Sequence, residues 1–539
     1  MIGGLGSTSL LRRISSQGRP TRPPLRVVLL ALVVAVAMLL PLIYLLLRAS
    51  ALPFDAWARL LRPRTLQVIG RSLLLAGSVT FSTILIAVPL AWLTARSDLP
   101  GRRMWMVAAA LPLVIPSYVG GFALVAAFGP RGLLQRYLAA PLGIERLPDI
   151  TGFPGAWLAL TLFAYPYVLL TVHAALRRLD PDLEAAARAL GDSPLRAFLR
   201  TTLPQLRPAI AAGGLLVALY VLSDFGAVSM LRYTTFTRAI YVQYTASLDR
   251  QTAAMLALML VALTLILLGF EGRLRGRARG TAATPRPPRP ARLRHWRWPA
   301  LIYTGLVTLL AVGVPLLVIG TWFVIGLRTG DALARNWLGP AWRSVQASIL
   351  AALAGPLVGL PLAFLVTRHP GRLSRLLERA TYVGNALPGV VIGLALVFFT
   401  ANFAAPLYQT LAVLVFGYLV RFLPEAVGAL RAAYVQINPQ VEDAARGLGS
   451  GRVGVLLRVT LPLLRPGLLA ASALVFLSAM KELPATLLLA PTGYDTLATR
   501  IWSATAEAFY GRAAPPALLL LVVSSFSIGL ILDRDRGEE

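Results

Sequence analysis

The chain has 539 residues, 57% of them hydrophobic and 14% charged, with no cysteine and a formal charge of +29. These proportions exclude an ordinary soluble globular domain, a disulfide framework and thiolate chemistry. The charge comes from 51 arginines and one lysine, Lys481, scattered between apolar segments without one basic face, so nucleic acid is not implied as a partner.

A run of about 20 apolar residues spans a bilayer. Apolar runs of that length predict about twelve spans, near 27–47, 70–94, 104–128, 156–176, 209–230, 252–270, 300–325, 345–366, 380–403, 408–430, 468–489 and 515–532. The expected fold is an all-α polytopic membrane protein. The basic stretch through Arg26 precedes an apolar run too long for a cleaved signal peptide, so the first span is read as retained. With the N-terminus inside, 34 of the 52 Lys and Arg residues fall in cytoplasmic segments and 16 in outer loops. That bias orients the chain in the inner (plasma) membrane with both termini cytoplasmic.

Three regions follow. Residues 1–271 form a first half of six spans, 272–299 an Arg- and Pro-rich cytoplasmic linker, and 300–539 a second half of six spans. The linker contains Pro285-Arg-Pro-Pro-Arg-Pro290 and reads as a semi-extended tether near anionic lipid headgroups. Six spans is an even number, so the halves share one orientation, related by a pseudo-two-fold along the membrane normal. Arg71-Ser72, Pro89, Arg96 and Pro116 recur at an offset of 272 as Arg343-Ser344, Pro361, Arg368 and Pro388. Pro166 recurs at 258 as Pro424. The difference of 14 residues falls in 121–166 and predicts a longer outer loop around 129–154, a candidate docking surface.

Two polar islands also repeat at 258, residues 180–208 and 438–466. Each reads as a short helix, a break and a second short helix. Asp180 and Asn438 are N-caps, and Pro181 and Pro439 suit the first turn. Glu184, Glu442 and Asp443 lie near the positive end of the dipole. Gly191 and Gly449 end the first helix in the left-handed conformation. Leu183, Ala186, Ala187 and Leu190 form an apolar stripe suited to a partner's groove. Pro204 and Pro462 close the two copies.

The chain lacks Gly-x4-Gly-Lys-Ser/Thr, so it has no conventional ATP site. His173, His295 and His369 are scattered without metal-ligand spacing, and no nucleophile–base arrangement appears. No catalytic residue, metal site or cofactor is assigned to the chain. Asp224 in span five and Glu482 in span eleven stand 258 residues apart. They are read as lining a path from opposite halves, or else as polar packing groups near the membrane surface. Lys481 is read as offsetting the charge of Glu482, and Arg421 as an i,i+4 partner of Glu425.

The duplicated islands resemble the cytoplasmic signature loop of binding-protein-dependent ABC importer permeases: Glu-Ala-Ala, three residues, Gly, nine residues, an aliphatic, one residue, Leu-Pro. In strict frame the first copy is Ala185-Ala186-Ala187-x3-Gly191 and the second Asp443-Ala444-Ala445-x3-Gly449. Glu184 and Glu442 stand one residue early, which leaves open which carboxylate couples in the first copy. Further stretches are similar to the fused ferric-iron permeases: Asp98-Leu-Pro-Gly-Arg-Arg103, Leu113-Val-Ile-Pro-Ser-Tyr-Val119, Ser223-Asp-Phe-Gly226, Lys481-Glu-Leu-Pro-Ala-Thr486 and Asp495-Thr-Leu-Ala-Thr-Arg500. The resemblance implies a permease that works with two copies of a cytoplasmic ABC ATPase, which would bind ATP and Mg, and with a substrate-binding protein outside. Thiamine permeases share the architecture and are the nearest alternative. A proton-driven secondary transporter is the alternative of another class, and nothing in that class carries the duplicated loop.

Overall fold

The computed structural model describes residues 23–50, 62–130, 132–139, 143, 148–180, 182–247, 249–275, 290–331 and 337–536. Among these residues the chain is helical, and its strand-like pairing is an isolated bridge between Ser97 and Ala291. The helices are α1 Leu25–Ser50, α2 Pro63–Arg96, α3 Arg102–Ala110, α4 Ser117–Phe128, α5 Phe153–Arg178, α6 Asp182–Ala189, α7 Pro194–Ala197, α8 Leu203–Ser223, α9 Gly226–Met230, α10 Phe236–Thr245 and α11 Arg250–Arg275. They continue as α12 Arg297–Thr308, α13 Val314–Arg328, α14 Leu338–Arg368, α15 Arg372–Ala386, α16 Gly389–Phe403, α17 Leu411–Gln436, α18 Pro439–Gly447, α19 Arg452–Val455, α20 Leu461–Met480, α21 Pro484–Leu489, α22 Leu497–Ala506 and α23 Tyr510–Arg536.

Nine helices among the described residues are long and apolar enough to cross a bilayer, or eleven if each of two bent pairs is one span. The protein is thus polytopic and all-α, as expected. The expected span at 515–532 lies within α23, whose side chains beyond Ser525 are outside the described residues.

Four expected spans are not continuous. The stretch 104–128 bends by 91° between Val114 and Ser117. Pro116 has no amide hydrogen and pushes Ile115 into extended backbone, at ψ 113°. At the matching Pro388 the stretch 380–403 is also interrupted, between α15 and α16. The stretch 209–230 stops at Ser223, with Asp224 extended, and resumes as α9. The stretch 468–489 stops at Met480 and resumes at Pro484. After each of these last two breaks the returning chain is clamped in the same way. Ser72 accepts from Phe236 N at 3.1 Å and Ser344 from Leu497 N at 2.7 Å. Tyr233 donates to Arg71 O at 3.2 Å and Tyr494 to Arg343 O at 2.7 Å.

The linker departs from a free tether at its ends; its middle, 276–289, is outside the described residues. Helix α11 runs on to Arg275. Ala291 N donates to Arg96 O at 2.7 Å, and Leu293 N donates to Asp98 Oδ1 at 2.9 Å. Asp98 therefore anchors the end of the linker.

The chain divides into two compact units. One comprises Met1–Leu40, Ala351–Asn385 and Phe422–Phe476 and contains the second signature loop. Its helices approach closely through small residues: a Cβ at Gly359 would stand 3.2 Å from Val427. The other comprises Pro41–Leu350, Ala386–Arg421 and Leu477–Glu539. There α2, α5 and α8 pack together, and Gly213 of α8 leaves no room for a Cβ against Thr171 and Val168. This unit holds the first signature loop and both Asp224 and Glu482.

Candidate functional site

The two signature loops fold as their sequences indicate. Asp180 Oδ1 accepts from Asp182 N at 2.9 Å and Asn438 Oδ1 from Gln440 N at 3.0 Å, each capping its short helix. Pro181 is outside the described residues. Gly191 and Gly449 have φ of +97° and +85°. In copy one Gly191 N bonds Arg188 O and Asp192 N bonds Ala187 O. In copy two Gly449 N bonds Arg446 O and Ser450 N bonds Ala445 O, the same double closure. Each second short helix runs through one π-turn, Phe198–Thr202 or Leu456–Thr460, into the helix that begins just before Pro204 or Pro462.

The expected stripe is open to solvent. Leu183 is 50% and Leu190 90% exposed, and the matching Val441 and Leu448 are 45% and 88% exposed. Large apolar side chains at such exposure suit a partner surface.

The early glutamates point inward. Thr202 donates to Glu184 Oε2 at 2.9 Å, and Thr460 donates to Glu442 Oε1 at 2.9 Å. The bond ties each loop's first short helix to the last residue of its π-turn. A matched arginine caps the preceding helix. Arg96 donates to Leu176 O and Leu179 O, with Glu184 and Asp180 as its counter-charges. Arg368 donates to Ile437 O at 3.1 Å and stands 3.3 Å from Glu442. That last approach, Nε to Oε2, is a charge contact without an aligned N–H bond. Glu442 is buried, whereas Asp443, in the strict signature position, is exposed and pairs with Arg446 at 2.6 Å. Sequence reading missed Thr202, Thr460 and the roles of Arg96 and Arg368. The repeats Thr-Leu-Pro at 258 and Arg96/Arg368 at 272 were the available signal.

Asp224 and Glu482 sit at the two helix breaks and are 6% and 5% exposed. Each caps the short helix that follows it. Asp224 Oδ1 accepts from Ala227 N at 3.0 Å and Val228 N at 3.3 Å, and Glu482 Oε1 accepts from Ala485 N at 3.0 Å. Ser117 also bonds the Asp224 carboxylate, and Arg421 acts on it as a counter-charge. Arg421 donates to Glu482 Oε1 at 3.1 Å. One guanidinium thus serves both carboxylates. Lys481 reaches toward Leu113 O at 3.4 Å, and Glu482 has an ion pair with Arg421, 61 residues away in sequence. Two buried tyrosines, Tyr118 and Tyr418, and the half-buried Tyr220 stand around the pair.

Residues 87–280 and 355–534 each match the family described as binding-protein-dependent transport system inner membrane component. The chain is 34% identical over 520 residues to the Fe(3+)-transport system permease protein FbpB 2 of Haemophilus influenzae, covering 95% of this chain and 99% of that one. It is 24% identical to the ferric transport system permease protein FbpB of Actinobacillus pleuropneumoniae, over 85% of this chain and 69% of that one. A molybdenum transport system permease protein ModB of Mycobacterium tuberculosis is 33% identical over 47% of this chain and 96% of its own length.

Proposed function

From the premise that the chain belongs to the binding-protein-dependent inner membrane component family, a family of ABC importer permeases, we propose that its cargo is ferric iron. The observation that carries the cargo is the near-full-length similarity to a Fe(3+)-transport permease, which spans both halves. Asp224 and Glu482 support it chemically. A trivalent cation in a low-dielectric span needs anionic company, and a carboxylate at each of two helix breaks supplies it without a tight cage. Arg421 keeps these carboxylates compensated while no cation is present.

The remaining parts of the assembly belong to the same proposal. The exposed apolar residues of the two signature loops dock two copies of a cytoplasmic ATPase, which binds ATP and Mg. Each half, 1–271 and 300–539, supplies one loop, with the 272–299 segment between them at the lipid surface. Both termini lie in the cytoplasm, and a substrate-binding protein delivers cargo on the other side. Glu184 and Glu442 shape the loops from within, so coupling contacts fall to their exposed residues, including Asp443. Closure of the ATPases on ATP pushes the loops together, and the halves rock about the path.

The test is uptake by proteoliposomes containing the permease with its ATPase and loaded binding protein. Radioactive ferric iron should accumulate with ATP, and molybdate should not. ATP-driven molybdate uptake without iron uptake would reverse the assignment. Native mass of the solubilised complex should give one permease per two ATPases; two permease chains would refute that stoichiometry.

A further inference from the structure

A second site lies just past the Asp224 break, beside α9, at the end of α5 away from the first signature loop. The residues that precede α5, Asp149 to Thr151, line a cavity of about 420 Å³. The signature loop follows the other end of α5, 26 residues along, or about 39 Å at 1.5 Å per residue. The cavity is bordered by both ends of the longer outer loop, Gly129-Pro130 and Asp149-Ile150-Thr151, and by the chain that returns after α9.

Four observations converge there. Arg232 and Arg238 both line the cavity, and no carboxylate stands within ion-pair distance of either among the described residues. Burial, and then the neighbouring charge of Arg232, hold the Arg238 guanidinium below its ordinary pKa. The acidic residue of the lining, Asp149, is turned back on Thr151, whose N and Oγ1 donate to it at 3.0 and 2.9 Å. Ser229, also in the lining, has a buried hydroxyl with no hydrogen-bond partner. Two lining residues, Arg232 at φ +55° and Ala508 at +60°, are the left-handed closures of α9 and α22: Arg232 N bonds Ser229 O with Tyr233 N on Val228 O, and Ala508 N bonds Thr505 O with Phe509 N on Ala504 O. Arg238 Nη1 donates to the Arg232 carbonyl at 2.9 Å and to Thr234 Oγ1 at 3.0 Å, which holds its guanidinium beside Arg232.

We propose that this cavity binds a small oxyanion, a polycarboxylate or phosphate-type group, between Arg232 and Arg238. Two like charges brought together without a counter-ion cost free energy until an anion enters between them. Planar guanidinium forks match carboxylate and phosphate oxygens. The volume suits a small molecule. Ser229 supplies a hydroxyl donor for the same anion. The site does not depend on the identity of the transported cargo. If iron is carried, the anion is a group that keeps a readily hydrolysed ferric ion in solution at the entrance.

The full chain in lipid nanodiscs is titrated calorimetrically with citrate and, separately, with inorganic phosphate at low salt. At least one of the two should bind saturably, one per chain, and weaken as salt rises. Arg232→Gln, at an exposed side chain, should weaken binding at least threefold. The pair Arg232→Gln with Arg238→Gln should weaken it at least tenfold, and Arg103→Gln, at an exposed site elsewhere, should leave it unchanged. Absence of saturable binding of both probes to the unaltered chain overturns the proposal, as does undiminished binding by Arg232→Gln.

Discussion

The two carboxylate sites begin from matched sequence and end with different chemistry. At offsets of 258 and 272, Asp224, Phe163 and Ser117 correspond to Glu482, Arg421 and Gly389. In the first site a serine bonds the shorter carboxylate directly. In the second, glycine leaves room where a Cβ at Gly389 would overlap both Arg421 and Glu482. The longer glutamate and the arginine fill that room. Duplication therefore preserved the helix break and the carboxylate cap, and divergence placed one cation to serve both sites. The lesson is that the cap is structural in both copies, while the compensation of charge is asymmetric.

The asymmetry can be broken at its centre. Arg421→Met leaves Glu482 buried without its ion partner and removes a counter-charge of Asp224. Removing one member of a buried pair costs about 3–5 kcal/mol. The variant should show a large loss of thermal stability in detergent, partly restored by adding Glu482→Gln. Wild-type stability for Arg421→Met would falsify the shared-cation account.

A milder change sharpens the same contrast. Glu482→Gln gives up a charged hydrogen bond worth about 1.5–3 kcal/mol, whereas Asp224→Asn keeps an acceptor for Ala227 N, Val228 N and Ser117 and should cost about 1 kcal/mol. Melting curves should rank them in that order. The two changes together should lower iron uptake while expression and ATPase stimulation persist. Unchanged uptake by a well-expressed double variant would leave both carboxylates as packing groups only.

The signature loops diverge less. Both keep the threonine-to-glutamate bond and the glycine closure, though the second adds the Arg368 contact to Glu442. Gly191 and Gly449 have open space where a Cβ would stand, so substitution there is opposed by positive φ alone. Gly191→Val and Gly449→Val should each cost about 1–2 kcal/mol locally. The protein should still insert and fold, but stimulation of the ATPase by loaded binding protein should fall in both, and most in the double variant. Normal stimulation by the double variant would remove the loops from the coupling role.

Much of this protein follows from the sequence by itself, and the reason is that the deciding forces are local. Apolar length sets which segments can enter a bilayer. N-cap side chains and left-handed glycines act within one helical turn, so Asp180, Asn438, Gly191 and Gly449 were legible before any coordinates. The proline at 116 was legible too, but not the 91° bend, because a proline permits a kink whose size neighbouring helices set. Only the tertiary structure decided which charge meets which. Lys481 is adjacent to Glu482 in sequence, yet successive residues do not share a helix face, and the chain breaks between Met480 and Pro484. Arg421 reaches Glu482 because Gly389 has no side chain to separate them, and Thr202 reaches Glu184 because a π-turn brings them together across 18 residues. Such contacts depend on the packing of distant helices, which one chain's pattern of residues does not encode position by position.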